Sequence, residues 1–227
     1  MVILGLTGSI GMGKSTAARM LRRLGIPVHD ADAVVHRLLA KGGGAVAPIA
    51  AAFPGVVRDG AVDRQALGAQ VFDNPDKLRW LESIVHPRVQ ASLRRFLADA
   101  ARRRMKVVVL DVPLLFETGG DRRTDRTVVV TAPRFVQRAR VLARSGMTEA
   151  KLAAILARQM PDVEKRRRAD FVVPTGLGRR FTLKALVRVV RLAKGLDGRH
   201  WPPRRHFPGS RLGRHAGNRF GHRNHGR

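Results

Sequence analysis

Residues 8–15 of the chain read Gly-Ser-Ile-Gly-Met-Gly-Lys-Ser, which fits the pattern G-x-x-x-x-G-K-S. Glycines let the backbone adopt positive φ and turn several N–H groups toward one anion. Lys14 can reach the β- and γ-phosphates of a nucleoside triphosphate, and the Ser15 hydroxyl can bind Mg²⁺. An apolar segment, Val2–Thr7, precedes the loop, and an amphipathic one, Lys14–Leu24, follows it. This strand–loop–helix order predicts a triphosphate site.

Length and composition limit the classes of protein to consider. The 227 residues are enough for one substantial core, or for one core and a small appendage. The chain has no cysteine, which excludes disulfides and thiolate metal sites and fits a reducing compartment. The sequence has no apolar segment long enough to span a membrane, and the first predicted strand begins where a signal peptide would lie. We therefore expect a soluble cytoplasmic protein with no membrane partner.

The formal net charge of +27 is unevenly distributed along the chain. Residues 199–227 contain eight arginines and no acidic residue, and residues from 198 onward lack apolar periodicity. We predict that 198–227 is a disordered basic tail. The rest of the basic surface suits phosphorylated ligands. Specific nucleic-acid binding is not expected, because the chain lacks tyrosine and has only 5% aromatic residues with which to stack bases.

Apolar segments typical of buried strands recur along the chain and alternate with helical patterns. This order predicts an α/β fold with a five-stranded parallel sheet covered by helices on both faces. The predicted strands are Val2–Thr7, Ile26–His29, Lys106–Val112, Arg126–Thr131 and Phe171–Val173.

The second and third of these segments are too far apart for a single connecting helix. We therefore predict one domain over residues 1–197, with its core at about 1–41 and 105–197 and a helical insertion at 42–104. Helices are expected at Asp63–Phe72 and Asp76–Arg104 within the insertion. A last helix, Thr182–Leu196, is expected to turn Leu183, Leu186, Val187, Val190 and either Leu192 or Ala193 inward.

Three carboxylates follow predicted strands, where the ligand crevice of an open α/β sheet lies. Asp30 and Asp32 end the second strand, and either can be a general base or the N-cap of the next helix. Asp111 ends the third strand, as does the acid that positions Mg²⁺ in many phosphate-loop enzymes. The apolar run after Asp111 ends in Glu117, which is more typical of a pocket for the acceptor.

Arginines are frequent where phosphoryl-transfer kinases carry a mobile lid, here placed at about 140–168. Such arginines neutralise charge on the transferring group and help to exclude water. We assign this role to Arg140 and Arg144 and expect the other arginines to lie on a solvated helix surface. The region contains Arg138, Arg140, Arg144, Arg158, Arg166, Arg167 and Arg168.

In their order along the chain, these motifs resemble the dephospho-CoA kinase family. The resemblance extends over residues 2–173, with helical continuation to 196, and leaves the tail outside. Its motifs are Leu6–Thr16, Asp30–Asp32, Ile84–Pro87, Asp111–Glu117, Gln137 with Arg140 and Arg144, Gln159–Lys165 and Arg168–Val172.

The resemblance implies transfer of the γ-phosphoryl group of ATP, with Mg²⁺, to the ribose 3′-hydroxyl of dephospho-CoA. It implies a phosphate-loop kinase core with a helical substrate domain and a lid. A monomer or weak oligomer is expected. Its implied catalytic residues are Asp32 as base, Lys14 and Arg140. Its implied ATP-binding residues are Gly11, Met12, Gly13, Lys14, Ser15, Thr16 and Arg144. Its implied acceptor residues are Asp32, His86, Asp111, Pro113, Leu114, Leu115 and Glu117, with Ser15 on Mg²⁺ and Asp111 as a second candidate ligand.

Two alternatives and one departure accompany this interpretation. Another small-molecule kinase of the same core, of the nucleoside monophosphate or shikimate type, is the nearer alternative, and a nucleic-acid-binding ATPase is the more distant one. The family continues its last strand into a turn of Asn-Gly character, whereas this chain has Pro174-Thr175-Gly176. Pro174 has no N–H to donate to an adenine ring.

Overall fold

The computed structural model describes residues 1–202, and its centre is a five-stranded parallel sheet. The strands of this sheet are β1 (Val2–Thr7), β2 (Val28–Asp30), β5 (Val107–Asp111), β6 (Arg126–Thr131) and β7 (Phe171–Pro174). Their order is β2-β5-β1-β6-β7, with every pair parallel. The predicted fold class is therefore confirmed. A separate antiparallel hairpin comprises β3 (Val57–Arg58) and β4 (Ala61–Val62).

The central strand β1 explains why its sequence is apolar throughout. All six of its residues are buried, because β5 and β6 flank it in the sheet and helices cover both faces. Its register pairs Leu4 with Val109 on one side and with Arg126 on the other. The parallel arrangement brings the carboxyl ends of all five strands to one edge of the sheet.

Helices lie on both faces of the sheet and within the long connection between β2 and β5. They are α1 (Lys14–Arg23), α2 (Ala31–Leu39), α3 (Val46–Ala52), α4 (Arg64–Val71), α5 (Pro75–Arg102), α6 (Arg134–Leu142), α7 (Glu149–Ala157), α8 (Asp162–Arg168) and α9 (Arg179–Ala193). On one face, Leu21 of α1 and Leu186 of α9 belong to the main core together with Leu6. On the other face, Leu97 of α5 packs with Val108.

The inward face predicted for the last helix is only partly right. Leu186 and Val190 are buried, but Leu183, Val187 and Leu192 are at least 38% exposed. Ala193, the predicted alternative to Leu192, is buried, and Thr182 and Val189 are buried although they were not predicted to be. The helix is apolar on two neighbouring faces, so the periodicity does not determine which face is buried. The Thr182 hydroxyl can be buried because the Pro174 and Gly178 carbonyls lie within hydrogen-bond distance.

The residues between β2 and β5 form a helical unit with a core of its own. Ile49, Phe53 and Leu67 are buried in that core. The helix α3 and the β3–β4 hairpin within it were not predicted. The long helix α5 joins the two parts, because Leu81 packs against the core of the insertion and Leu93 packs against the sheet.

The described chain ends against the amino-terminal edge of the sheet. The backbone N–H groups of Arg199 and His200 donate to Asp125 Oδ1 at 2.5 and 3.2 Å, and Trp201 packs beside Met1. Residues 199–201 of the predicted tail thus have defined contacts, and residues 203–227 lie outside the described part. No helix within residues 1–202 is long and apolar enough to cross a membrane.

Candidate active site

A cavity of about 540 Å³ opens beside the carboxyl ends of β1, β5 and β7. The 8–15 loop forms its floor, α2 contributes Asp32, and the segment after β5 contributes Pro113. The covering region, residues 134–159 from the start of α6 to just beyond α7, closes it with Arg140, Arg144 and Gln159. Its wall residues are Gly8, Ser9, Ile10, Gly11, Gly13, Lys14, Ser15, Thr16, Asp32, Pro113, Arg140, Arg144, Ile155, Gln159, Thr175, Gly178, Arg179 and Thr182.

The glycines of the loop are required by its backbone and by close packing. Gly11 and Gly13 have φ of 77° and 90°, which side chains other than glycine rarely adopt. A Cβ on Gly11 would also lie 2.6 Å from a methyl carbon of Val141 on α6. Helix α1 begins immediately after Gly13, so its positive end faces the cavity. The loop is therefore shaped to receive an anion.

Two glutamines of the covering region form hydrogen bonds to the 8–15 loop. Gln137 Nε2 donates to the Ile10 carbonyl at 2.8 Å, and the Ile10 N–H donates to Gln159 Oε1 at 3.0 Å. Gln137 is only 6% exposed. The backbone N–H and carbonyl of Ile10 are thus both hydrogen-bonded to side chains of the covering region, so the position of the loop depends on that region.

Lys14 and Asp111 form an ion pair in the site. Lys14 Nζ lies 2.7 Å from Asp111 Oδ1, and the Asp111 side chain is only 3% exposed. Burial raises the pKa of Asp111, and the neighbouring Lys14 ammonium partly offsets that effect.

The structure separates the roles of Asp30 and Asp32. Asp30 is the N-cap of α2: its Oδ1 accepts from the Ala33 N–H at 2.9 Å, and its Oδ2 lies 3.5 Å from Arg22. Asp32 lies in the first turn of the same helix, is exposed, and lines the cavity. Asp32 is therefore the carboxylate available to a ligand.

Arg140 and Arg144 both line the cavity. Arg140 is held in place by Thr175: its Nη1 donates to Thr175 Oγ1 at 3.0 Å and its Nη2 donates to the Thr175 carbonyl at 2.7 Å. Arg138, which we expected on a solvated surface, pairs with Glu149 of α7.

Other predicted residues lie at a distance from the cavity wall. Met12 is buried in the main core, where its sulfur accepts the Ala132 N–H at 3.0 Å. Leu115 is fully buried and packs closely against β1, since a Cβ added to Gly5 would lie only 2.7 Å from the Leu115 Cδ2 atom. His86 is exposed on α5 and does not line the cavity.

Pro113, Leu114 and Glu117 lie in the segment after β5. The Pro113 carbonyl accepts from Thr7 Oγ1 at 2.9 Å, and Leu114 is 38% exposed. Glu117 is turned inward: its Oε1 lies 2.8 Å from Nζ of the fully buried Lys165 and accepts the Met160 N–H at 2.9 Å. The structure thus gives Glu117 internal partners.

A model of the dephospho-CoA kinase family matches residues 2–176. The chain belongs to the dephospho-CoA kinase family. Two dephospho-CoA kinases illustrate the similarity. That of Paramagnetospirillum magneticum is 68% identical over 166 residues, which are 73% of this chain and 78% of the relative. That of Rhodospirillum rubrum is 58% identical over 195 residues, or 85% and 92% of the two chains.

Solved structures agree with the fold of this dephospho-CoA kinase family member. A Thermus thermophilus protein has a TM-score of 0.74 and 38% identity, over 86% of this chain and 98% of its own. The dephospho-CoA kinase of Campylobacter jejuni has a TM-score of 0.63 and 24% identity, over 85% and 98%. Membership of the family makes the chain a kinase and argues against a nucleic-acid-binding ATPase and against a shikimate or nucleoside monophosphate kinase.

The donor groups of the kinase site fit Mg²⁺. Ser15 and Asp32 line the cavity, and Asp111 lies at its base beside Lys14, so hydroxyl and carboxylate oxygens are present. Within residues 1–202 no cluster of three or more histidine or acidic side chains could hold a metal alone. Mg²⁺ commonly binds through one or two protein oxygens together with substrate phosphates and water.

Sequence reasoning did not find the roles of Gln137, Gln159 and Thr175 in this family member. The two glutamines were noted as part of the resemblance, and Thr175 was noted as a departure from it. Each acts through a hydrogen bond to a residue at least 35 positions away. Spacing along the chain carries no signal for such contacts.

Proposed function

We propose that Asp32 is the general base when this kinase transfers the γ-phosphoryl group of ATP to the ribose 3′-hydroxyl of dephospho-CoA. One observation carries the assignment: Asp32 is an exposed carboxylate on the wall shared with Lys14 and Arg140. Asp30, the other candidate, is occupied by the Ala33 N–H and Arg22.

ATP fits the half of the cavity formed by the loop and the covering region. Lys14 and the backbone of the loop are suited to its phosphates, and Arg144 extends the positive wall. Arg140 is suited to the charge that develops on the transferring group. The backbone contacts are assigned to Gly11, Met12, Gly13, Lys14, Ser15 and Thr16.

Mg²⁺ would be held by the Ser15 hydroxyl, with Asp111 as a second ligand. When bound, the ion supplies positive charge that offsets the charge of the β- and γ-phosphates. The Asp111 carboxylate also orients Lys14 at 2.7 Å. The negative charge of Asp111 would therefore stabilise two cations, the Mg²⁺ ion and the Lys14 ammonium.

The acceptor fits against Asp32 and the segment after β5. Pro113 lines the cavity and Leu114 is partly exposed, so both are suited to direct contact. Leu115 and Glu117 shape this wall from behind through their buried contacts. His86 lies on the exposed surface of the insertion, where only an extended part of the acceptor would reach it.

The chemical step needs one proton transfer. The 3′-oxygen forms a bond to the γ-phosphorus while the bond from that phosphorus to the bridging oxygen of ADP breaks. Asp32 accepts the hydroxyl proton, which leaves coenzyme A and ADP as products. Positioning and charge neutralisation supply most of the rate enhancement. A cytoplasmic location and a monomer or weak oligomer stay predictions from the sequence.

A matched pair of variants tests the base. Asp32→Asn is expected to lower kcat by a factor on the order of 10² or more while ATP affinity changes little. Asp30→Asn retains an N-cap acceptor and is expected to keep most of the activity. A coupled assay measures ADP release with dephospho-CoA as the acceptor, and with AMP or shikimate as alternative acceptors. An Asp32→Asn variant with nearly the wild-type kcat contradicts the assignment of Asp32 as the base. Selective turnover of another acceptor contradicts the proposal that dephospho-CoA is the substrate.

A further inference from the structure

Thr175 occupies a buried position between the phosphate-binding loop and the covering region. It follows β7 directly and is 6% exposed. Its N–H donates to the Thr131 carbonyl at 2.8 Å, which fixes its backbone to the end of β6. A Cβ on Gly13 would lie 3.1 Å from Thr175 Oγ1, so the threonine side chain packs directly against the loop.

The Thr175 hydroxyl bonds to two parts of the site at once. It donates to the Met12 carbonyl at 2.7 Å and accepts from Arg140 Nη1 at 3.0 Å. One hydroxyl can fill both roles because it has one proton and two lone pairs. The Thr131 carbonyl, at 3.2 Å, is a longer alternative acceptor for the same proton. A single side chain thus connects the loop to an arginine of α6.

Arg140 is held by neutral partners. Its recorded acceptors are the hydroxyl and carbonyl of Thr175 and, at 3.5 Å, the Gly11 carbonyl. Across residues 1–202, no carboxylate lies within 4.0 Å of its guanidinium. Such partners restrict the orientation of the side chain and leave its positive charge un-neutralised, so that the guanidinium can stabilise negative charge on a transferring phosphoryl group.

The bond to Met12 also sets the direction of a loop donor. A trans peptide is planar, so the Gly13 N–H points opposite to the Met12 carbonyl. When Thr175 holds that carbonyl, the Gly13 N–H is fixed as well. Gly13 lines the cavity, and the N–H groups of such a loop bind phosphate oxygens.

We propose that Thr175 is a positioning residue for phosphoryl transfer. Its hydroxyl holds the Arg140 guanidinium and the Met12–Gly13 peptide in the arrangement that receives the transferring group. The inference rests on the phosphate-facing role proposed for Arg140. It also gives a function to the Pro174-Thr175-Gly176 turn, at which the chain departs from the Asn-Gly turn of the family.

Three variants test the hydroxyl. Thr175→Val keeps the shape and removes the hydroxyl, and kcat should fall about tenfold to a hundredfold while the KM for ATP changes less than about threefold. Thr175→Ser keeps the hydroxyl and should restore most of kcat. Thr124→Val is the matched control, because it removes another buried hydroxyl, bonded to the Asp121 carbonyl at 2.8 Å, that does not line the cavity.

A double-mutant cycle shows whether Thr175 acts through Arg140. In an Arg140→Ala background, adding Thr175→Val should lower kcat by less than about twofold, because the group being positioned is already absent. Equal losses in both backgrounds, or wild-type kcat in a folded Thr175→Val protein, overturn the inference. If Thr175→Val does not fold, Thr175→Ala replaces it in the same cycle. Wild-type kcat in Arg140→Ala overturns the role proposed for Arg140 as well, whereas an impaired Arg140→Ala beside a fully active Thr175→Val overturns the inference alone.

Discussion

Lys14 Nζ lies 2.7 Å from Asp111 Oδ1, within the site that is suited to the phosphates of ATP. The lysine side chain is 15% exposed and the aspartate side chain 3% exposed, so the pair is only weakly screened by water. A triphosphate must compete with this carboxylate for the ammonium group. Asp111 therefore affects ATP binding even where it does not touch the nucleotide.

Replacing Asp111 by asparagine should separate ATP binding from turnover. Without Mg²⁺, ATP should bind Asp111→Asn about threefold to tenfold more tightly, because a competing charge worth about 1 kcal/mol is removed. With Mg²⁺, kcat should fall at least about tenfold, because the proposed second ligand of the ion is lost. Calorimetry in EDTA and steady-state rates in Mg²⁺ measure the two effects. Weaker ATP binding by Asp111→Asn in EDTA would contradict the proposed competition between Asp111 and ATP for Lys14. As a control, Lys14→Met should weaken ATP binding both with and without Mg²⁺.

The Glu117–Lys165 pair joins the segment after β5 to α8. Burial acts to raise the pKa of Glu117, but the neighbouring Lys165 ammonium and a hydrogen bond from the Met160 N–H lower it, and the result lies below the ordinary value of 4.5. A carboxylate with a lowered pKa in the folded state stabilises the fold fully above its unfolded pKa. That contribution is lost as the pH falls below 4.5 and passes the folded pKa.

Changes to this pair should affect stability in a pH-dependent way. Glu117→Gln should lower Tm near neutral pH, and the difference from wild type should shrink as the pH falls below 4.5. Lys165→Met leaves the carboxylate buried without its cation and should cost about 3–5 kcal/mol. The double variant should recover part of that loss. Thermal unfolding over this pH range measures all three, and a Tm difference that grows toward acid pH would show that the pair is not the source.

The two glutamines that hold Ile10 use opposite ends of their amides. Gln137 donates through Nε2, so Gln137→Glu places an acceptor against the Ile10 carbonyl and should weaken ATP binding about tenfold. Gln159 accepts through Oε1, so Gln159→Glu keeps the bond to the Ile10 N–H, and it should weaken ATP binding less than Gln137→Glu does, because only the added charge on the cavity wall opposes the phosphates. Calorimetric titration with ATP compares the pair. Equal effects would contradict the assigned amide orientations.

The sequence predicted the sheet and the loop because both are set by local patterns. The bounds predicted for β1 and β6 are those observed, since each strand is built around an apolar run, with Gly8 directly after β1 and Asp125 directly before β6. The β3–β4 hairpin was missed although Asp59 and Gly60 form its turn with φ of 50° and 79°. An Asp-Gly pair favours such a turn, but strands of two residues show no alternation.

Predictions for the site were limited by contacts between distant residues. Spacing left the roles of Asp30 and Asp32 open, and a hydrogen bond to the Ala33 N–H distinguishes them. Glu117 was assigned to the acceptor from its place after β5. Its internal partner Lys165 lies 48 positions away, and only the packing of α8 brings the two together. The sequence does not distinguish a carboxylate that lines a ligand pocket from one that forms a buried ion pair.

Asp125 connects the two ends of the described chain. Its Oδ2 accepts the Ile3 N–H at 2.7 Å, and its Oδ1 accepts the N–H groups of Arg199 and His200. Trp201 adds apolar contact in the same cluster as Met1. These contacts lie at the amino-terminal edge of the sheet, opposite the cavity.

Two truncations separate this anchor from catalysis. A chain ending at Asp197 loses the contacts of residues 198–202, whereas a chain ending at Pro202 keeps them. Loss of about 1–2 kcal/mol should lower Tm of the shorter chain by about 2–8 °C relative to the longer one. We expect the two to have the same kcat below their unfolding temperatures, because the site lies at the other edge of the sheet. Calorimetry and the ADP-release assay provide the comparison. Equal Tm values would show that the anchor does not stabilise the fold, and a lower kcat in the shorter chain alone would show that it acts on the site.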